Sequence, residues 1–369
     1  MRKFGLLLGI MFLSACADRS YTPVMPEALN VGTPVTIFAG TTRAQNPDGS
    51  FGFDRSEKLR LLELTVSIPP SHQPGDLNYA YANPKPEMEF TLAGQVELAN
   101  PAFQSRVRQE MAKKSGRETE VTVYIHGYNA TQAETAFRAA QLANDVKLPG
   151  AQVIYSWPSK GKSLGYAYDF DSALFARDGL EELLFLLKAT GVRRIILVAH
   201  SMGGLVMMET LRQIERSRPG WVGANIGGVV MISPDLDIEL FRTQMKSLSH
   251  IPQPFVVFVS RQDSILNLSS RLRGRGEGQR LGNIENNDQI ADLPVNVIDT
   301  TAFAKDAAST HFIVGSSPAL IAMFGDVQAL QDTFDLDPAA ALGSLTAAHQ
   351  TGNNLSTRQV LVLPTDSPR

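Results

Sequence analysis

The residue best suited to chemistry in this sequence is Ser201, at the centre of the segment Ala199–Gly203 (AHSMG). A β-branched, apolar run at 195–198 stops at this segment, and a stretch with helical spacing of apolar residues follows it. A serine on such a strand–turn–helix elbow is held in a strained, exposed position, and the positions two before and two after it must be small. Ala199 and Gly203 fill them, a mild departure from G-x-S-x-G. The pattern predicts a nucleophile; the alternative is that Ser201 only caps the helix.

A serine hydroxyl needs a histidine to take its proton and a carboxylate to orient that histidine. On an elbow of this kind the chain order is serine, acid, histidine. Three histidines follow Ser201, namely His250, His311 and His349. His250 precedes a predicted strand and would lie at its far end, and His349 lies in the C-terminal tail. His311 follows the last predicted strand and a short polar loop, so its side chain can reach back over the strand ends. We therefore predict His311 as the base.

Two aspartates that follow predicted strands compete for the role of the acid. Asp235 follows the strand at 229–233, and Asp263 follows the next strand, at 255–260. Both lie between the serine and the histidine, so chain order does not separate them. An aspartate at a strand end is also a common helix N-cap or loop ligand.

Acyl transfer also needs two N–H donors aimed at the oxyanion of the tetrahedral intermediate. The N–H of Met202, directly after the serine, would lie at a helix N-terminus, where the helix dipole favours negative charge. The second donor should come from the loop His126–Asn129 (HGYN), which follows an earlier predicted strand. Gly127 would let this backbone approach a substrate closely, which makes the N–H of Tyr128 the expected donor. We expect His126 itself to order the loop through hydrogen bonds.

The segments that must position these residues alternate between strands and helices. Strands alternating with helices of this length imply right-handed crossovers and a parallel sheet covered on both faces. The predicted fold class is therefore α/β, with a mostly parallel central sheet and helices on both faces. The strands before residue 121 are expected to extend the same sheet. Strands are predicted at 34–39, 59–68, 88–92, 121–125, 153–157, 195–198, 229–233, 255–260 and 295–298, and helices at 99–115, 131–146, 171–189, 318–324 and after the elbow.

The first residues have the pattern of an export signal. Arg2 and Lys3 precede an apolar run at 4–13, which ends in Leu13–Cys16 (LSAC). A charged start, a short apolar centre and small residues before a cleavage site describe a secretory signal peptide. The LSAC segment resembles the lipobox of bacterial lipoproteins, in which cleavage leaves the cysteine as a lipid-modified N-terminus. The alternative is an ordinary cleaved signal with a chance cysteine at position 16.

Cys16 is the only cysteine of the chain, so the fold cannot depend on disulfides. Several acyl chains on it would hold the protein firmly to a membrane, which is then a predicted partner. Ala17, rather than aspartate, follows the cysteine, and by resemblance to enteric sorting rules this favours the outer membrane. The expected location is the bacterial cell envelope, at the outer membrane facing the periplasm.

The composition is that of a globular protein, with 43% hydrophobic and 19% charged residues in a chain of 369. A net charge of −3 argues against nucleic acid as a partner. The sequence contains no metal-ligand spacing, Walker loop or dinucleotide fingerprint, so we expect neither a metal nor a cofactor. No pattern indicates the oligomeric state.

The elbow, the HGYN loop and the spacing of Asp263 and His311 resemble the α/β-hydrolase superfamily. More narrowly, the chain resembles a bacterial group described only as an alpha/beta hydrolase of unknown function, over roughly residues 33–325. In hydrolases of this fold the acid usually follows the seventh strand. Counting the elbow strand as the fifth, this resemblance assigns the acid role to Asp263 and leaves Asp235 as the alternative. The matching segments are Phe38–Arg43, Val66–Pro69, the HGYN loop, Tyr155–Ser159, the AHSMG elbow, Ser233–Asp235 and Ser260–Asp263.

The resemblance implies a serine hydrolase that cleaves carboxylic esters through an acyl-enzyme on Ser201. Thioesterases, amidases and acyltransferases share the same triad, and a lipid-anchored binding protein without turnover is a different class that could use the same fold. The expected organisation is a signal peptide at 1–15, a tether at 16–32, a hydrolase domain at 33–325 and a tail at 326–369. Within the domain, 33–118 would hold the N-terminal strands and helix, and 119–325 the catalytic core.

Overall fold

The computed structural model describes residues 19, 21–113, 119–148, 150–162, 165–272, 280–284, 287–323 and 361–363. Within these ranges the strands form one sheet, in the order β10-β9-β8-β7-β6-β4-β5-β1-β2-β3. The predicted signal peptide, Cys16 and most of the predicted tail lie outside the described residues. The strands are β1 (Thr33–Gln45), β2 (Phe51–Ile68), β3 (Thr91–Leu98), β4 (Glu120–Ile125), β5 (Ala151–Ser156), β6 (Arg194–His200), β7 (Ile226–Ile232), β8 (Phe255–Val259), β9 (Asn296–Asp299) and β10 (Leu361–Leu363).

Helices connect the strands of the central part of the sheet. Seven strands, β1 and β4 to β9, run parallel to one another. Three pairs at the two ends of the sheet are antiparallel: β1 with β2, β2 with β3, and β9 with β10. The α-helices are α1 (Asn100–Lys113), α2 (Gln132–Asp145), α3 (Tyr166–Phe175), α4 (Arg177–Lys188), α5 (Gly203–Ser217), α6 (Trp221–Asn225), α7 (Ile238–Lys246) and α8 (Ser264–Leu272), and residues 318–323 are also helical.

The sheet is covered on both faces, as its central strands require. Every residue of β4 and of β5 is buried, the pattern of parallel strands that have no solvent-facing side. One core contains side chains of α1, α4, α5 and α7, such as Phe103, Leu184 and Phe241. The other contains α2 and the segment after β9, such as Phe137 and Phe312. The predicted fold class and the extension of the sheet by the N-terminal strands are confirmed.

Two local predictions were wrong. The helix predicted at 171–189 is two helices that meet at Ala176, whose carbonyl oxygen accepts a hydrogen bond of 2.6 Å from the buried Tyr155 hydroxyl. The strand predicted at 88–92 begins only at Thr91, because Met88 and Glu89 belong to a turn closed by hydrogen bonds to the carbonyl of Lys85. Within the predicted tail, residues 361–363 form β10 at the sheet edge. Within the described ranges, no helix has both the length and the apolar character needed to cross a bilayer.

Candidate active site

Ser201 lies directly after β6, in the turn that leads into α5. Its φ is +53°, in the left-handed region that a residue with a side chain rarely adopts. Two hydrogen bonds hold this backbone in place: the Ser201 N–H donates to the carbonyl of Ile232 at 3.0 Å, and the Ser201 carbonyl accepts from the N–H of Gly204 at 3.0 Å. The turn therefore has the backbone geometry that the nucleophile-elbow motif predicts.

The small residues around Ser201 are required by contacts with the neighbouring loop. A Cβ on Gly203 would lie 2.5 Å from the carbonyl oxygens of both Ile125 and His126, at the end of β4. A Cβ on Gly127 would lie 2.7 Å from the Cβ of Ser201. The elbow and the HGYN loop are thus in direct backbone contact, and neither glycine can be larger without displacing the other segment.

His311 and Asp263 are brought together by the loops that follow β8 and β9. The imidazole Nδ1 of His311 lies 2.7 Å from Oδ2 of Asp263. The other carboxylate oxygen, Oδ1, accepts hydrogen bonds of 3.1 and 3.0 Å from the N–H groups of Ile265 and Leu266, so Asp263 also caps α8. Asp263 is fully buried, and 14% of the His311 side chain stays exposed. With Nδ1–H donated to the carboxylate, Nε2 is left as the proton acceptor of the ring.

His200 connects this pair to the elbow, and sequence reasoning missed it. Its Nε2 lies 3.2 Å from the carbonyl oxygen of His311, and the two rings are 4.8 Å apart between centroids. Burial, followed by the charge of His311, lowers the pKa of His200 well below its ordinary value, so its ring is neutral. Because a carbonyl can only accept, the proton sits on Nε2. The only sequence signal was its place directly before Ser201.

The exposed position expected of the elbow serine is not found: Ser201 is buried, and among the described residues its hydroxyl has no hydrogen-bond partner. It is therefore not bonded to His311 in this conformation. Catalytic hydrogen bonds are often long without substrate and shorten when substrate binds.

Asp235, the alternative acid, is engaged elsewhere. Its Oδ1 lies 3.0 Å from Nε of the buried Arg280, and it accepts hydrogen bonds from Tyr166 at 2.7 Å and from Ser269 at 2.8 Å. Its carboxylate thus has a buried counter-charge and two hydroxyl donors. Asp235 has the contacts of a structural ion pair, whereas Asp263 has those of a histidine-orienting carboxylate.

His126, the first residue of the HGYN loop, is buried, and its ring stacks on Trp157 with centroids 4.8 Å apart and an interplanar angle of 4°. Burial, together with the charge of Arg43, lowers the pKa of His126 to about 3. Its Nδ1 lies 2.8 Å from the carbonyl oxygen of Gly127, and its Nε2 lies 3.0 Å from the carbonyl oxygen of Trp157 and 3.4 Å from Nη2 of Arg43. The neutral ring has one N–H group and donates it to one of these two carbonyls. Trp157 Nε1 donates to the His126 carbonyl at 2.7 Å. These contacts agree with the loop-ordering role expected of His126.

Arg43, at the end of β1, is a fully buried cation that sequence reasoning did not assign a role. Its guanidinium donates to three carbonyl oxygens, those of Ala130 at 2.7 Å, Ser159 at 3.1 Å and Gly52 at 3.1 Å. Burial lowers its pKa to about 10, opposed by the charge of Asp169, so the side chain stays protonated near neutral pH. Arg43 therefore holds the HGYN loop, the loop after β5 and the start of β2 together.

Asp169, on α3, is the second buried charge beneath the loop, and it too was missed. Its carboxylate accepts hydrogen bonds from the Ser159 hydroxyl and the Lys160 N–H, both at 2.5 Å, and from the Asn129 N–H at 3.2 Å. Burial raises the pKa of Asp169 above its ordinary value, although these bonds and Arg43 oppose the shift. No sequence motif marks this residue, and its partner in the HGYN loop, Asn129, is 40 positions away in the chain.

The two predicted oxyanion donors belong to the two segments that meet at Ser201, the elbow and the HGYN loop. Met202 is fully buried and is the N-cap residue of α5. Tyr128 follows Gly127, which touches Ser201; its hydroxyl donates to the carbonyl of Lys162 at 3.2 Å, and its ring packs edge-on against Tyr166 with centroids 5.5 Å apart. The structure thus places both segments beside Ser201. In the described ranges no three His, Cys, Asp or Glu side chains come together as metal ligands.

Three solved structures resemble this chain at low sequence identity. The structure of TT1662 from Thermus thermophilus is 11% identical, with 71% of this chain and 90% of that chain covered and a TM-score of 0.35. Lipase B of Aspergillus fumigatus is 13% identical, with 75% and 65% covered and a TM-score of 0.36. Esterase B from Lactobacillus rhamnosis is 12% identical, with 65% and 82% covered and a TM-score of 0.34. TM-scores this low carry no argument about activity.

The family assignment comes from sequence. None of the curated proteins matches this chain. The model of the family described as alpha/beta hydrolase of unknown function (DUF900) matches residues 99–327, well over half of the 369 residues. The matched range contains the elbow, the HGYN loop, Asp263 and His311. The chain therefore belongs to this α/β-hydrolase family.

Proposed function

We propose that the protein is a serine hydrolase that cleaves carboxylic esters through an acyl-enzyme on Ser201. The observation that carries the proposal is the hydrogen bond of 2.7 Å between His311 and Asp263, held against the elbow by His200. A buried carboxylate bonded to Nδ1 fixes the tautomer in which Nε2 can accept the serine proton. The proposal assigns the acid role to Asp263 and a structural role to Asp235.

In the first half-reaction Ser201 Oγ attacks the acyl carbonyl, and its proton passes to Nε2 of His311. The tetrahedral intermediate then collapses, the bond to the leaving oxygen breaks, and His311 returns the proton to the leaving alcohol. In the second half-reaction His311 takes a proton from water, which attacks the acyl-enzyme and releases the carboxylic acid. The serine regains its proton, so the protein is unchanged after one turnover.

The oxyanion of each tetrahedral intermediate would be bound by the N–H groups of Met202 and Tyr128. Met202 lies at the N-terminus of α5, where the dipole of a helix favours a negative charge. Tyr128 directly follows Gly127, where an added Cβ would lie 2.7 Å from the Cβ of Ser201, and this closeness supports Tyr128 as the second donor. Donors fixed before the reaction stabilise the developing charge without reorganising, which makes this the largest expected contribution to catalysis.

The proposal also includes attachment of the protein to the bacterial envelope through a lipid on Cys16, at the outer membrane facing the periplasm. It is supported by the LSAC segment that ends a short apolar run after Arg2 and Lys3. Lipid attachment can be read directly from the mass of the N-terminal peptide of protein purified from a bacterial host. An N-terminal peptide without acyl chains would contradict this part of the proposal.

The hydrolase proposal is tested by treating the purified wild-type protein and the variant Ser201→Ala with a fluorophosphonate and comparing their labelling. We expect labelling and turnover in the wild type, and neither in the variant, because the phosphorus reacts only with the activated serine. The p-nitrophenyl esters of acetate to palmitate report acyl length, and a matched thioester and anilide report bond type. A folded wild type that neither labels nor turns over any of these would refute the proposal and favour a binding protein on the same fold.

A further inference from the structure

Arg19 lies in the segment before β1, and its side chain reaches the HGYN loop. All five N–H groups of its guanidinium donate hydrogen bonds in and around this loop. Nη1 donates to Asn129 Oδ1 at 2.8 Å and to the Gly161 carbonyl at 2.7 Å. Nη2 donates to the Asn129 carbonyl at 3.2 Å and to Glu134 Oε1 at 2.7 Å, and Nε donates to the Tyr81 hydroxyl at 3.0 Å. A guanidinium has five N–H groups, and all five have an acceptor here.

Two of these five bonds go to Asn129, the last residue of the HGYN loop. Asn129 has a φ of +59°, in the left-handed region, which asparagine adopts more readily than most residues with a side chain. Its N–H donates to Asp169, and both its carbonyl and its side-chain oxygen accept from Arg19. Arg19 therefore supplies two of the bonds that hold this conformation.

Arg19 also connects the loop to the start of α2. Glu134, its acidic partner, closes a capping box with Thr131, accepting from the Thr131 N–H at 2.9 Å. The hydroxyl of Tyr81 donates to the same carboxylate and accepts from Arg19. The guanidinium thus joins the HGYN loop, the loop after β5, the segment before β3 and the N-terminus of α2, and the family match at 99–327 does not include it.

The geometry points to Arg19 as a positioning residue for the HGYN loop. Through Arg19 the N-terminal segment sets the turnover number of the enzyme. This inference rests on the proposed hydrolase function. Asn129 directly follows Tyr128, so fixing its backbone anchors the C-terminal end of the short loop that holds the Gly127–Tyr128 peptide, whose N–H is the proposed oxyanion donor. Arg43 and Asp169 hold the loop from inside the domain, whereas Arg19 holds it from the segment that leads back to Cys16.

The test compares the purified full chain with Arg19→Ala and Arg19→Lys, using a p-nitrophenyl ester as substrate. Loss of one oxyanion donor lowers kcat by about 10²–10³-fold, so a loosened donor should lower kcat roughly 10- to 100-fold, with KM little changed. Lysine keeps the charge but cannot reproduce five donors in a planar fork, so Arg19→Lys should recover little of the loss. Free guanidinium, at concentrations that do not unfold the protein, should restore part of the activity of Arg19→Ala and none of the activity of Arg19→Lys.

The matched control is Arg60→Ala, which removes an arginine paired at 2.7 Å with Glu97 on the β2–β3 side of the sheet. This variant should keep the wild-type kcat. Thermal unfolding of all variants separates a local effect from lost stability. An unchanged kcat in Arg19→Ala, or an equal loss in Arg60→Ala, would overturn the inference while leaving the hydrolase proposal standing.

A second readout does not depend on turnover. Hydrogen exchange of the amides of residues 126–131 should be faster in Arg19→Ala than in the wild type and unchanged in Arg60→Ala. If the wild type turns over no substrate, the hydrolase proposal fails, and exchange still decides whether Arg19 holds the loop. Equal exchange in wild type and Arg19→Ala would overturn the inference in either case.

Discussion

At the scale of single residues, Asp263 and Asp235 look alike in the sequence and differ in their partners. Each follows a strand of the sheet, and each is buried. Asp263 accepts from His311 and from the first turn of α8, whereas Asp235 faces the guanidinium of Arg280. The partner of a buried carboxylate determines its role: next to an imidazole it can orient the ring, and next to a guanidinium it neutralises the positive charge.

This difference makes the two aspartates separable by one substitution each. Asp263→Asn should lower kcat on the order of 10⁴-fold with little change in stability, because an amide can hold the wrong tautomer of His311. Asp235→Asn should leave Arg280 without its counter-charge and lower the free energy of unfolding by about 3–5 kcal/mol, with kcat per folded molecule retained. Kinetics and urea unfolding of both variants check this. A large loss of kcat in Asp235→Asn alone would reverse the assignment.

Histidine burial predicts how stability depends on pH. The pKa of His126 is about 3 in the folded protein and has its ordinary value of 6.5 in the unfolded chain. Between these values only the unfolded chain binds the proton, so stability is complete above about pH 6.5 and falls as the pH drops. The slope is about 1.4 kcal/mol per pH unit for each such histidine. The lowered pKa of His200 acts in the same direction.

The variant His126→Gln should reduce this slope, measured as the free energy of unfolding in denaturant from pH 7 to pH 4. The control is His250→Gln, because His250 is exposed. Equal slopes in the wild type and His126→Gln would mean that His126 is not held neutral in the fold.

At the scale of elements, the site depends on how closely α5 and β4 approach. Gly203 begins α5, and a Cβ there would meet two main-chain oxygens at the end of β4. The HGYN loop leaves β4 at the same point. The close approach of α5 and β4 therefore sets the distance between Ser201 and the HGYN loop.

We expect Gly203→Ala to lower stability by about 1–3 kcal/mol, typical of overpacking, and to lower kcat by more than stability explains. The backbone oxygens at 2.5 Å cannot give way without moving the loop. The matched control is Gly228→Ala on β7, where the nearest atoms lie at 3.5 Å and an ordinary contact would result. Thermal unfolding and ester kinetics of both variants are the measurements. Similar behaviour of the two would show that the close approach has no special role.

At the scale of the whole molecule, the N-terminal segment meets the domain at its candidate active site. Arg19 is bonded to Asn129, and position 16 is three residues earlier in the chain. Three extended residues span about 11 Å at most. A lipid on Cys16 would therefore hold the oxyanion loop close to the membrane surface.

This arrangement predicts a preference for esters that reside in a bilayer. Wild-type protein should hydrolyse a long-chain ester in vesicles faster than Cys16→Ser does, because acylation is lost in the variant. Both should hydrolyse a short soluble ester at the same rate. Equal rates on the vesicle substrate, with lipid demonstrated on the wild type, would show that the anchor does not deliver the site to its substrate.

Much of the candidate site could be predicted because its motifs are local. The elbow consists of five consecutive residues, and chain order with the predicted strand ends selected His311. Chain order left Asp263 and Asp235 as alternatives, and the family resemblance favoured Asp263. His200, Arg43 and Asp169 were missed for the opposite reason. Each has at least one partner that is remote in the chain: His200 and His311 are 111 positions apart, Arg43 and Ser159 116, and Asp169 and Asn129 40. No local pattern encodes such a pairing.

The sequence by itself determined the alternation of strands and helices, the fold class and the elbow around Ser201, because hydrophobic periodicity and tight-turn chemistry are local properties of a chain. Only the tertiary structure decided that Asp263 faces His311, that Asp235 faces Arg280, and that Arg19 bonds the HGYN loop. The physical reason is that charge pairing and hydrogen bonding depend on distances between atoms. Those distances exist only once remote segments pack against one another.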